Sequence, residues 1–186
     1  MTLERLNKIG QQTALLSFLF GTTIFAAYFY TSMSELLFIG YTFIIIAGLV
    51  NIRIIISILL KTNEDKVQRK KSMKTCGIML LNIPALLLYC WIAIILINTM
   101  RITFTNTTRM NLTNINILGC EKIHIDKLKV GESKTVWVEI TGDCSINIDY
   151  LANGIQKEES VESYVTNGMG QKINHKIGKL NEEQIY

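Results

Sequence analysis

The sequence predicts an α-helical membrane part with three transmembrane helices, followed by a small all-β domain. Three observations lead there. Apolar residues crowd into the first hundred positions of the 186-residue chain. Two of the runs they form, residues 36–60 and 77–99, are long enough to cross a hydrocarbon core of about 30 Å. From Arg101 onward the long runs give way to short ones in which apolar and polar residues alternate, the period of a half-buried strand. The expected domains are a membrane part over residues 1–100, a β domain over 101–180 and a tail over 181–186.

Residues 1–13 are polar and basic, with Arg5 and Lys8, and Leu3 and Leu6 are placed to lie along a membrane surface. The first span is expected over 13–33. Its apolar run exceeds the roughly 7–15 residues of a secretory signal's core, and Tyr28, Phe29 and Tyr30 at its end resemble an interfacial aromatic belt. Ser32, Met33 and Ser34 still form a passable cleavage site, so removal as a signal peptide is the competing reading. Ser17 and Gly21 make a small-xxx-small pair, a weak hint of close helix approach.

Residues 31–35 join two antiparallel helices tightly. The second span, 36–60, would be about 37 Å long, longer than the hydrocarbon core, so tilt or protrusion is expected. The loop 61–75 follows, where Lys61, Lys66, Arg69, Lys70, Lys71 and Lys74 outweigh Glu64 and Asp65. Basic residues are retained on the cytoplasmic side of spans. The localisation expected is therefore a multi-pass membrane protein with its N-terminus in the cytoplasm and its C-terminal domain periplasmic or extracellular. Nucleic acid is excluded as a partner, because the positive charge lies in one short loop rather than on a folded surface with aromatic or polar readers. Membrane lipid and another membrane protein, or self-association, are the partners expected.

The third span, 77–99, contains Asn82 and Pro84 early, and Tyr89 and Trp91 at positions suited to packing against other helices. Pro84 leaves the carbonyl of Leu80 without its helical donor, which predicts a kink. Counted back from Lys61, Arg53 lies about 12 Å into the second span. Asn82 reaches a similar depth in the third, with Asn51 and Pro84 at the next level. These four form an expected intramembrane polar cluster, in which Arg53 clamps the Leu80 carbonyl and the Asn82 side chain. Snorkelling of Arg53 to the headgroups is the simpler alternative.

After Arg101, strands are expected around Ile102 and Phe104, Ile115 and Ile117, Ile123 and Ile125, Val136 to Ile140, Ile146 to Tyr150, Val161 to Val165, and residues 171–177. Turns are expected at Gly131-Glu132-Ser133, Gly142-Asp143, Asn153-Gly154 and Asn167-Gly168. Asn-Gly suits a type I′ hairpin, in which both central residues need positive φ. Seven short, regularly spaced strands suggest a β-sandwich, and an immunoglobulin-like one is the first choice. Such an analogy carries no function. The first strand follows the third span almost directly, so the domain is expected close to the membrane. Its candidate free edges are residues 102–108 and 161–165. On the latter, Tyr164 is either a partner-binding aromatic or ordinary core.

Cys120 and Cys144 are each expected at a strand end beside a turn. Outside the cytoplasm they are a natural disulfide, whereas Cys76 and Cys90 are packing residues of the third span. A zinc site from Cys120, His124, Cys144 and His175 has the right residue types but the wrong spacing, since positions four apart on a strand are about 13 Å apart. Asp126, Glu132, Asp143 and Asp149 fit no calcium loop. Ser133, Ser145, Ser160 and Ser163 lack a nucleophile context, and Gly168-Met169-Gly170 is no phosphate loop. Asn106 and Asn111 match the glycosylation pattern, relevant only in a eukaryotic secretory pathway. No metal, cofactor or catalytic residue is expected.

The function expected is that of a non-enzymatic integral membrane protein. It presents a small extracytoplasmic β domain to a partner, in an accessory or assembly role within a membrane complex. The alternative is a small transport or sensing component that uses the polar residues within the membrane.

Overall fold

A computed structural model of the chain describes residues 2–62 and 68–179. Helices come first and strands follow, in two compact units that divide after Ala93. The division falls inside the last helix, whose final turn is built into the β unit.

In the first unit, α1 spans Leu3–Thr31, α2 Glu35–Thr62 and α3 Arg69–Leu80. The fourth helix, α4, spans Asn82–Ile97 and runs on into the second unit. Three helical stretches are long and apolar enough to cross a membrane: α1, α2, and α3 together with α4. Helix α1 starts ten residues before the expected span. Thr2 caps it by accepting from the Arg5 amide, with Glu4 in the first turn, where the helix dipole favours an acid. It stops where Ser32 turns left-handed and returns its N–H to Tyr28.

The polar start of the chain is therefore helix rather than a surface strip. Leu3, Leu6, Asn7, Gly10 and Ala14 are buried. The reason is α3. Asn7 donates to Ser72 at 3.0 Å, and Gln11 donates to Thr75 at 3.1 Å. Arg69, Lys70, Lys71 and Lys74 accordingly lie on a helix and not in a loop, while Glu64, Asp65 and Lys66 lie outside the described residues. Beneath these hydrogen bonds, Leu6, Ala14, Ile58, Cys76 and Met79 form an apolar core shared by α1, α2 and α3.

The break between α3 and α4 sits at Leu81, three residues before Pro84. The Leu81 amide reaches back to Gly77 and Ile78 in a tightened last turn. Pro84 then lies in the first turn of α4, where a missing N–H costs little.

The second unit has seven strands: β1 Thr99–Asn106, β2 Leu112–Gly119, β3 Ile123–Leu128, β4 Ser133–Glu139, β5 Cys144–Ala152, β6 Ile155–Val165 and β7 Lys172–Ile177. They make a three-stranded sheet, β4-β1-β7, and a four-stranded sheet, β3-β2-β5-β6. Strand β1 pairs antiparallel with β4 and parallel with β7. The region 102–108, expected at an edge, is therefore the centre of its sheet. Strand β6 is an edge.

Both sheets contribute to one core. Ile102, Phe104 and Val138 from the first meet Ile117, Ile148 and Tyr150 from the second, all essentially without exposure. The alternation in the sequence is the alternation of this core with the outer faces. At the β5–β6 hairpin, Asn153 and Gly154 both have positive φ, 53° and 79°, the condition for a tight hairpin turn. Asn106 is fully buried and donates to the carbonyls of Met110 and Leu128 at 2.8 and 2.9 Å, so it is not accessible to a glycosylating enzyme.

The β unit also closes the end of α4. Gly170 donates to the Ile97 carbonyl at 2.8 Å, Ile140 to the Asn98 carbonyl at 2.9 Å, and Gly168 to Asn98 Oδ1 at 3.1 Å. Asn98 Nδ2 and Thr99 Oγ1 in turn satisfy the carbonyls of Ile94 and Ile95. Terminal helix carbonyls need such partners. A Cβ at Gly170 would stand 2.3 Å from the Leu96 carbonyl oxygen, so only glycine fits there.

Candidate functional site: an apolar cleft among the helices

Within the first unit, α1, α2 and the first part of α4 border a cleft of about 410 Å³. Small residues open it: Ser17 and Gly21 from α1, and Gly40, Ala47 and Gly48 from α2. Its walls are almost entirely apolar, with Phe25, Phe43, Leu36 and Leu86 among them.

Asn51, Asn82 and Tyr89 are polar groups on the wall of this cleft. Asn82 donates to the backbone carbonyl of Ala14 at 3.0 Å. Asn51 donates to Ser17 Oγ at 3.1 Å and to the Ala47 carbonyl at 2.8 Å. Its Oδ1 is buried with no hydrogen-bond partner among the described residues. Tyr89 shares a hydrogen bond with Thr22 at 2.8 Å and stacks on Phe25 with ring centroids 4.7 Å apart.

These contacts correct the expected clamp. Asn51 and Asn82 do stand on facing helices, but each reaches α1 rather than Arg53. Arg53 is exposed, and none of the asparagine hydrogen bonds goes to it. Depth along two helices fixes level and not azimuth, and Arg53 projects from a different side of α2 than Asn51. Pro84 acts through the break at Leu81 rather than through a partner side chain. Of the two mid-span aromatics, Tyr89 packs inward as expected, while Trp91 is 62% exposed.

In the β unit, Cys120 and Cys144 are joined, with Cα atoms 5.2 Å apart and a sequence separation of 24. The bond ties the end of β2 to the start of β5, two neighbours in one sheet. It also removes both sulfurs from any zinc set. His124 instead lies in an exposed chain with Asn116 at 2.8 Å and Asp126 at 3.1 Å, and Asn116 donates to Asp149 at 2.8 Å. Among the described residues no His, Cys, Asp and Glu group is arranged to hold a metal.

Tyr164 is 53% exposed on the edge strand β6, so it is not core. It and Thr166 hydrogen-bond Asp143, Thr166 more strongly, and together they hold that carboxyl below its ordinary value.

A second cluster carried no sequence signal. Glu159 of β6 takes hydrogen bonds from Tyr150, from the Gly178 amide at 3.0 Å and from His175 of β7 at 3.2 Å. It thus ties the edge of one sheet to the edge of the other. Burial pushes the Glu159 carboxyl up, but the hydrogen bonds of His175, Tyr150 and Gly178 and the charge of His175 outweigh it, and the net shift is downward. Burial, and then the hydrogen bond and charge of Glu159, push the Tyr150 phenol well up. Both shifts favour the arrangement seen, a carboxylate that accepts from a neutral phenol.

No protein-family model, curated protein or solved structure matches this chain.

Proposed function

We propose that the chain is a non-enzymatic integral membrane protein with an accessory or assembly role, in which the helices receive a segment of a partner membrane protein. The observation that carries this reading is the cleft. It is apolar, a Cβ at Gly48 on its wall would meet nothing within 4 Å, and among the described residues it contains one unmet acceptor, Asn51 Oδ1. Helix association in lipid relies on close packing of small residues and on such hydrogen bonds. Asn51 and Asn82 bind helix to helix, which supports an architectural role for them over a transport path.

In this reading Lys61, Arg69, Lys70, Lys71 and Lys74 stay cytoplasmic, and the β domain lies in the periplasm or outside the cell. The disulfide supports an oxidising compartment for that domain. We read the domain as immunoglobulin-like in its layered architecture alone. The constant-type order places strands 1-2-5-4 in one sheet and 3-6-7 in the other. Here the sheets are 4-1-7 and 3-2-5-6, and the disulfide lies within one of them.

The test is copurification in mild detergent. A stoichiometric membrane partner, lost when Gly21 and Gly48 are both changed to Leu, is the expected result. A lone homo-oligomer that conducts ions in liposomes would replace this reading with the transport one.

A further inference from the structure

The β unit has a second concavity, of about 470 Å³, where the last turn of α4 meets the sheet β4-β1-β7. Ile94 and Ile95 form its apolar side and are exposed. Trp137 of β4, 47% exposed, forms the wall. Glu121 and Glu139 supply two carboxylates, linked because Glu121 accepts from the Glu139 amide at 3.0 Å. Asn98 and Thr99 complete the lining; Thr99 Oγ1 donates to the Ile95 carbonyl, and Asn98 Nδ2 uses one of its two hydrogens on the Ile94 carbonyl.

We propose that this niche binds the amine-bearing headgroup of a phospholipid, with the ammonium between the Glu121 and Glu139 carboxylates and the Trp137 ring, and the acyl chains along Ile94 and Ile95. Three features select this occupant. The niche offers two negative side chains and an indole face, the combination that recognises an ammonium. The lining contains no Lys or Arg. Against them stands Arg101, 5% exposed, whose guanidinium lies 5.7 Å from the Trp137 centroid, one positive charge beside two carboxylates. The apolar side belongs to the final turn of a helix apolar enough to span a membrane, and headgroups lie where such a helix ends.

The inference rests on α4 being a membrane span but not on the accessory role. The experiment uses the full chain in detergent, titrated with phosphatidylethanolamine or phosphatidylglycerol and read by native mass spectrometry. A Trp91→Phe background leaves Trp137 as the one remaining tryptophan of the two in the chain, and its emission gives a second readout. Retention of phosphatidylethanolamine should exceed that of phosphatidylglycerol by roughly five- to tenfold, the scale of a shielded ion pair plus a cation–π contact. The double variant Glu121→Gln/Glu139→Gln should abolish the preference and the Trp137 response, and Glu139→Lys should reverse the preference. Both glutamates are exposed, so these changes leave the core intact. Equal retention of the two lipids, or a preference unchanged in the double variant, overturns the proposal. So does a bound polypeptide that protects Trp137 regardless of lipid. A chain that fails to enter membranes at all would instead overturn the reading of α4 as a span.

Discussion

At the scale of single residues, three side chains separate what holds the protein together from what merely sits in it. Glu159 is the first. Its folded pKa is lowered, so the stability it contributes is full above the ordinary carboxyl value of 4.5 and is lost as pH falls through the lower folded value. The β domain should therefore lose stability below about pH 4.5. Glu159→Gln should cost roughly 1–3 kcal/mol at neutral pH, since Tyr150 and His175 lose a charged partner. The same change should flatten the acid limb of a pH series of urea melts. An unchanged acid limb would mean that other carboxylates govern acid unfolding. Asn82 and Arg53 make the second comparison. Asn82→Leu removes a helix-to-helix hydrogen bond and should lower detergent-unfolding stability by about 0.6 kcal/mol. Arg53→Leu and Arg53→Lys should leave it unchanged, because Arg53 is exposed on α2.

At the scale of elements, the disulfide and the junction carry the clearest expectations. The Cys120–Cys144 bond closes a chain segment of separation 24, worth about 3 kcal/mol in the chain-entropy model. Each single Cys→Ser change should cost about that much, and the double change no more. Thiol labelling of the native, unreduced protein should find neither sulfur reactive. Gly170→Ala should be worse than its size suggests, because its methyl would meet the Leu96 carbonyl and break the closure of α4. Thermal melting of that variant, against Gly142→Ala where nothing lies within 4 Å, is the direct comparison.

The same scale explains what could be read in advance. Apolar runs marked the helices, because a span needs length and hydropathy and little else. The Asn153-Gly154 turn and the Cys120–Cys144 pair were legible for local reasons, a backbone requirement and a compartment. Residues 155–160 were not seen as strand, since an edge strand shows water one face and one side, and Gln156, Lys157 and Glu158 are exposed. The helical character of Arg69 to Lys74 was masked by charge. The central place of β1 was invisible because alternation fixes which face is buried and says nothing about which strands are neighbours. Tyr150, Glu159 and His175 come from three strands brought together only by that pairing, so no local motif announced them.

At the scale of the whole molecule, the expectation concerns orientation. With the basic end of the helices cytoplasmic, protease added to intact spheroplasts should remove the β domain and leave the helices protected. Cleavage of the β domain only in inverted vesicles would reverse the topology. Alkylation in living cells should agree, with Cys120 and Cys144 protected as a disulfide until a reductant is added.

The parallel pairing of β1 with β7 has a consequence for biogenesis. Strand β1 is the first of the sheet to be made, and Arg101 to Asn106 find their partners in Lys172 to Ile177 near the end of the chain. No hairpin can form early on that side, because a parallel partner must return from a distance. While the rest is being synthesised, one flank of β1 stays open, a strand with unpaired backbone groups awaiting its mate. Synthesis must therefore reach β7 before the sheet can close. Until then the domain is nearly complete with one vacant slot, and a chain cut short before β7 would present that slot permanently as a hook for aggregation.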